Sequence, residues 1–200
     1  YPHSGGQPND TGTLSTSSCT ANVLDVKKEN GKIIHLVDTH SFKEGDIVFG
    51  SINWDRRYKL MKAHTLTHIL CALLHQQTGA LITGNQLYED KLRIDFNLEH
   101  YDKEFLESIV SQAREIISQN KDVTSYYLSK EEAFKLPGAL KLANVLPPDI
   151  KQLRIVEIQD FDVQVDGGTH VKNTQEISSC ELLKTENKGK NNRRMIVAFS

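Results

Sequence analysis

The chain has 200 residues, 38% of them apolar and 25% charged, with a formal net charge of −2. That length accommodates one sizeable domain or a small domain joined to a medium one, and the near-neutral balance excludes a strongly cationic nucleic-acid binder, so any RNA contact must come from local basic patches. No apolar run approaches the roughly 20 residues that cross a bilayer, and the opening Tyr1-Pro2-His3-Ser4-Gly5-Gly6 has neither the basic nor the apolar region of a secretory signal. Cys19, Cys71 and Cys180 are odd in number and lie outside any C-x-x-C pair, which reads as reduced thiols and not as a disulfide framework. A cytoplasmic protein without a membrane partner is expected.

From Gly12 to about Trp54, short β-prone runs at 21–26, 32–37 and 46–52 alternate with turn signals such as Glu29-Asn30-Gly31 and Glu44-Gly45-Asp46. They predict a small N-terminal β-barrel domain over residues 1–55. The pattern then changes at Trp54-Asp55-Arg56-Arg57, and apolar residues recur at helical spacing from Tyr58 to about Gln77, with Gly79 as the residue that closes the helix. Strands are predicted at 92–96 and 123–128. Between them a helix from Asp102 to Asn120 carries Phe105, Leu106, Ile109, Ile116 and Ile117 as its apolar stripe, and a short helix is predicted near 130–136. After a break at Pro147-Pro148, runs at 153–158, 161–165, 176–183 and 195–199 alternate as strands of an antiparallel sheet, with 184–194 as an exposed hairpin loop. Segregated helices and strands give an α+β class, with a second domain over 56–200 in which the sheet packs against helices.

In His64-Thr65-Leu66-Thr67-His68 two imidazoles stand one helical turn apart and can share a metal ion. At about 100° per residue, His64, His68, Cys71 and His75 fall in one stripe while Leu66, Ile69, Leu70, Leu73 and Leu74 spread over the other side. Spacing alone also admits His68 with Cys71, or Cys71 with His75. A lone pair of this kind is more often an ordinary polar face, and Thr65 stands where a metalloprotease helix needs its glutamate, which excludes that class. A second cluster, Asp166-Gly167-Gly168-Thr169-His170, places a carboxylate and an imidazole around a glycine pair that permits close backbone approach. His64, His68, Asp166 and His170 form an admissible zinc shell; a tight turn with His170 on the solvent side is the plain alternative.

Three separated stretches carry a resemblance that single motifs do not. Tyr1-Pro2-His3-Ser4-Gly5-Gly6-Gln7-Pro8-Asn9-Asp10-Thr11-Gly12 resembles the glycine-rich opening of the longer AlaX alanyl-tRNA editing proteins and the matching region of alanyl-tRNA synthetase. Residues Trp54 to Leu70 resemble the family's approach to its first two zinc histidines, and Gly167 to Ile177 resemble the stretch that holds its last ligand. The resemblance covers essentially the whole chain. It implies a β-barrel followed by an editing domain, zinc as cofactor, tRNA as partner, and hydrolysis of alanine tRNA mischarged with serine or glycine. The family usually has a cysteine four residues before the last histidine, whereas this chain has Asp166, whose oxygen is harder than a thiolate and either takes the cysteine's place or leaves the ion to three histidines and a water; Cys180 does not occupy that position and reads as a buried thiol.

For an aminoacyl ester, His64, His68 and His170 are the candidate catalytic residues through the metal they hold, since zinc lowers the pKa of a bound water and polarises a carbonyl; a shell closed by four protein ligands instead suits zinc to anchoring the tRNA 3′ end or the amino acid, and the sequence leaves both open. Discrimination of serine from alanine asks for a group that hydrogen-bonds the serine hydroxyl, and the resemblance points to Thr83, with Thr65 and Thr67 as competitors. Gly5, Gly6 and Gln7 are candidates for contact with phosphate or ribose. Arg56, Arg57, Lys59 and Lys62, and also Lys184, Lys188, Lys190, Arg193 and Arg194, are candidates for tRNA phosphates. The rival readings are an editing domain for another aminoacyl-tRNA, as in threonyl-tRNA synthetase, and a non-catalytic tRNA-binding module with structural zinc.

Overall fold

The computed structural model describes residues 1–39, 41–136 and 151–200; the Pro147-Pro148 break lies outside them. Four strands come first: β1 (Gly12–Ser15), β2 (Thr20–Glu29), β3 (Lys32–Val37) and β4 (Phe49–Ile52). They form an antiparallel sheet in the order β3-β2-β1-β4. The closed barrel expected here is not found among the described residues, because β3 and β4 remain its two edges. A closed barrel needs an inward face on every strand, and only β2 has one, with Ala21, Val23 and Val26 buried, while β4 is exposed throughout. That strand also starts at Phe49 and not at Asp46, because Asp46 closes a turn, accepting from the Lys43 amide at 2.7 Å through its side chain.

Helix α1 (Trp54–Thr78) opens four residues earlier than the periodicity predicts. Asn53 caps it, its side-chain oxygen accepting from the Arg56 amide at 3.2 Å, and Gly79 closes it in the left-handed region at φ 69°, the usual N-terminal asparagine and C-terminal glycine devices. Strands β5 (Ile82–Leu87) and β6 (Lys91–Phe96) follow, then α2 (Lys103–Ser118), β7 (Val123–Ser129) and the short α3 (Lys130–Ala133). Strands β8 (Gln152–Ile158) and β9 (Asp162–Val165) precede a 3-10 turn at Thr174–Glu176, and β10 (Cys180–Asn187) and β11 (Arg193–Phe199) complete the described elements. The strand predicted to start at Glu176 starts at Cys180, since a reciprocal cap between Asn173 and Glu176 holds Thr174–Glu176 in a turn.

Two further antiparallel sheets result, β10-β11-β6-β5 and β7-β8-β9. Between the first of them and α2 lies the main core, where Leu60, Leu66, Ile69, Leu70 and Leu74 of α1 pack with Ile94 and Phe96 of β6 and with Leu106 and Ile109 of α2. Each large side chain so buried stabilises the fold by about 1.5–3 kcal/mol relative to exposure. From Ala63 to Leu74 every residue of α1 is buried. The helix is therefore central, not amphipathic, and its histidine stripe faces protein and not solvent. No helix of the described residues is long and apolar enough to cross a membrane.

Candidate metal centre

The buried middle of α1 fixes His64 and His68, one turn apart, and the segment after β9 brings Asp166 and His170 against them. His64 Nε2 lies 3.2 Å and His68 Nε2 3.7 Å from Asp166 Oδ2, and His170 Nε2 lies 3.1 Å from Asp166 Oδ1. The four ligand atoms are all within 4.8 Å of one another. A tetrahedral zinc shell with arms of about 2.0 Å has edges of about 3.3 Å, which the three carboxylate-to-imidazole separations bracket. His68 has both ring nitrogens buried and without a hydrogen bond, the condition of an imidazole whose lone pair is meant for something else. On these grounds the residues fit a metal ion. Cys71 and His75 are not in the group: Cys71 is buried elsewhere on the helix, and His75 Nδ1 sits 3.1 Å from the carbonyl of Ala80 at the helix end.

Two glycines make the approach possible. A Cβ on Gly168 would come within 2.1 Å of the His64 ring, so only glycine lets the strand-end backbone lie flat against that imidazole. A Cβ on Gly6, whose φ is +85°, would come within 1.9 Å of Asn85 Oδ1. The turn from Ser4 to Gln7 is thereby seated on β5, where Gly6 accepts a 2.9 Å bond from the Leu87 amide. Arg154 of β8 donates to the carbonyls of Asp166 (3.1 Å) and Gly168 (2.8 Å), which pins the loop that carries the second pair of ligands. His170, expected on the solvent side if this were a plain turn, has a side chain only 4% exposed.

Each imidazole also has its other nitrogen near a polar group. His64 Nδ1 is 2.9 Å from Gln7 Oε1, His170 Nδ1 is 3.4 Å from Thr65 Oγ1, and His68 Nδ1 is 3.4 Å from Asp162 Oδ2. Gln7 is fully buried, and its amide nitrogen donates to Thr169 Oγ1 at 2.8 Å. Burial pushes the Asp166 carboxyl up, but the neighbouring His64, His170 and His68 outweigh it and hold it well below the usual carboxylate range. Burial, aided by the repulsion of His64, pushes His170 well below the usual imidazole range against the opposing pull of Asp166. An anionic carboxylate beside a neutral imidazole is the protonation state that metal ligation requires.

The remaining sequence candidates are placed as follows. Thr83 is exposed on β5 and donates to Asn192 Oδ1 at 3.1 Å. Thr65 donates to the Met61 carbonyl at 3.1 Å and Thr67 to that of Ala63 at 2.8 Å. Gly5 is exposed and Gly6 half-buried. Among the basic residues, Arg56 holds the Asn9 carbonyl and Glu89, Arg57 holds Asp10, Arg193 holds Asn187 and nearby carbonyls, and Arg194 holds Asp95 at 2.6 Å. Lys62 lies over the Tyr58 ring at 5.2 Å, and Lys184 pairs with Glu186 at 2.8 Å. Arg154 and Asp162 were missed in the sequence. The signal was there in Asp162-Val163-Gln164-Val165-Asp166, a strand whose polar residues alternate with valines, so that one face must bury polar groups.

Comparison with known proteins identifies the family. Residues 153–196 match the family model described as the threonyl and alanyl tRNA synthetase second additional domain, and residues 1–56 match that of class II (A) tRNA synthetases. The chain is 46% identical to the alanyl-tRNA editing protein AlaX-M of Methanosarcina barkeri and 44% identical to that of Saccharolobus solfataricus, in each case over 98% of this chain and 83% of the relative. It is 38% identical to the alanine–tRNA ligase of Methanococcus maripaludis over 93% of this chain but 21% of that enzyme. With a metal-competent His/Asp cluster, a glycine-rich turn docked beside it, and this identity along nearly its whole length, the chain belongs to the AlaX-M family of alanyl-tRNA editing proteins.

Proposed function

We propose that the chain is a deacylase of mischarged alanine tRNA, removing serine and also glycine from the terminal ribose, with zinc held by His64, His68, Asp166 and His170. The observation that carries this reading is the convergence of those four ligand atoms, within 4.8 Å of one another, in a chain of this family. In the reaction water adds to the ester carbonyl, the carbon–oxygen bond to ribose breaks, and the ribose hydroxyl takes back a proton. Bound at the cluster, zinc would supply Lewis-acid polarisation of the ester carbonyl. The chain's own residues supply the rest. His64, His68 and His170 present Nε2 inward, Gln7 fixes the His64 ring from the opposite edge, and Arg154 holds the Asp166 loop so that its carboxylate faces all three rings.

Thr83 is the proposed reader of the serine hydroxyl. It is exposed on the strand whose Asn85 contacts the Gly6 turn, and its Oγ1, which donates to Asn192, retains lone pairs to accept another bond. Gly5 and Gly6 are proposed to meet the ribose or a terminal phosphate, and the buried Gln7 to act through His64. Of the basic residues, Lys59, Lys62, Lys188 and Lys190 are proposed for phosphate contacts, because four arginines are already committed to internal partners. We further propose residues 1–55 and 56–200 as two domains, the turn from Ser4 to Gln7 reaching from the first into the site of the second.

The reading is tested by measuring release of amino acid from alanine tRNA charged with serine, glycine or alanine. Hydrolysis of the seryl and glycyl esters with the alanyl ester spared is the expected outcome. Thr83→Val should then lose activity selectively on the seryl ester, on the order of 10²-fold if the bond is made in the transition state. No release from any of the three would leave a non-catalytic tRNA-binding module with structural zinc.

A further inference from the structure

Asp162 is the first residue of β9, four positions before Asp166, and its side chain has no solvent exposure. Its Oδ2 lies 3.4 Å from His68 Nδ1, while His68 Nε2 faces Asp166 Oδ2 at 3.7 Å. The two nitrogens of one imidazole thus face two carboxylates borne by one short stretch of chain. A neutral imidazole has one N–H and one lone pair, so a carboxylate placed 3.4 Å from Nδ1, close enough to take up its N–H with a small adjustment, would leave Nε2 as the ligand atom.

The three histidines differ in what stands behind them. His64 has the Gln7 amide and His170 the Thr65 hydroxyl, both uncharged, whereas His68 has a carboxylate. That difference matters for charge. A divalent ion held by three neutral imidazoles and Asp166 retains one net positive charge in a buried site, which is costly unless compensated. A second buried carboxylate at the rim of the cluster brings the sum to zero. We propose that Asp162 is a positioning residue of the metal centre: its carboxylate accepts a hydrogen bond from the Nδ1–H of His68 in the loaded site, fixes the tautomer that presents Nε2 to the ion, and offsets the remaining positive charge. The proposal rests on the metal reading above.

Zinc affinity of the whole chain, measured by competition with a chromophoric chelator, tests it in the wild type, Asp162→Asn and Asp162→Ala. The wild type should bind one zinc, and removal of such an outer partner should weaken binding by about 10- to 100-fold, with Ala worse than Asn because the amide oxygen can still accept a hydrogen bond from Nδ1–H. Wild-type affinity in both variants overturns the assignment and leaves the metal reading standing; a wild-type chain that binds no zinc overturns both. Nitrogen-15 NMR of the zinc-loaded wild type decides the matter should the variants not fold. A protonated Nδ1 on His68 is expected, and a protonated Nε2 would refute the proposal.

Discussion

A glycine decides the geometry of the site at the residue scale. Gly168 lies so close to His64 that Gly168→Ala must push that ring aside, and a displacement of about 1 Å in such a constellation costs on the order of 10²-fold in rate. Deacylation should fall by about that factor in Gly168→Ala while Gly167→Ala, where a Cβ meets open space, remains near wild type; comparison of the two rates checks it. His68→Ala should lose both bound zinc and deacylation, as read by metal analysis and serine release. Full activity in a metal-free His68→Ala protein would remove the metal from the mechanism. Much of this was legible in the sequence, because ligand residues at helical spacing and around a glycine pair constrain chemistry directly. The roles of Gln7 and Asp162 were not, since they depend on which nitrogen of each imidazole faces inward, and that is set by packing between segments far apart in the chain.

At the element scale α1 organises the molecule. Its interior is buried on all sides, so Leu70→Ala, at a fully buried position, should cost about 2–5 kcal/mol of stability, measurable by chemical denaturation. The helix was predicted, but its centrality was not: the histidine stripe reads as a polar face because periodicity cannot tell a face turned to solvent from one turned to an internal site. The same limitation explains β9, where buried Asp162 and Gln164 invert the usual inward-apolar rule. Strand boundaries shifted where side-chain caps intervened, at Asp46 and at Asn173 with Glu176. Cys180 was read as a buried thiol. It is 2% exposed, and burial, only partly offset by Arg114, pushes its pKa up to about 11. Alkylation of Cys180 near pH 8 should therefore be slow in the folded protein and fast after unfolding. Rapid native labelling, followed by mass spectrometry, would contradict that placement.

On the scale of the whole molecule, the N-terminal residues complete a site built mainly by later ones. Asp10 is clasped by Arg57, Gly6 is seated against Asn85, and Gln7 reaches His64, so the glycine-rich opening is tied to the His/Asp cluster and its helix by contacts that span 47 or more residues of sequence. The four arginines that looked available for RNA are largely spent on this internal architecture, which composition could not reveal. Family membership and the antiparallel α and β layout were legible from three motifs in order; the open form of the first sheet was not, because turn spacing does not specify closure. Under the proposed function, editing depends on a metal held by His64, His68, Asp166 and His170. The most direct measurement is release of serine from seryl-tRNA for alanine by chelator-stripped protein as zinc is added back. Activity that is absent at the start and rises to a plateau at one zinc per chain is predicted; undiminished activity in fully stripped protein would contradict the account.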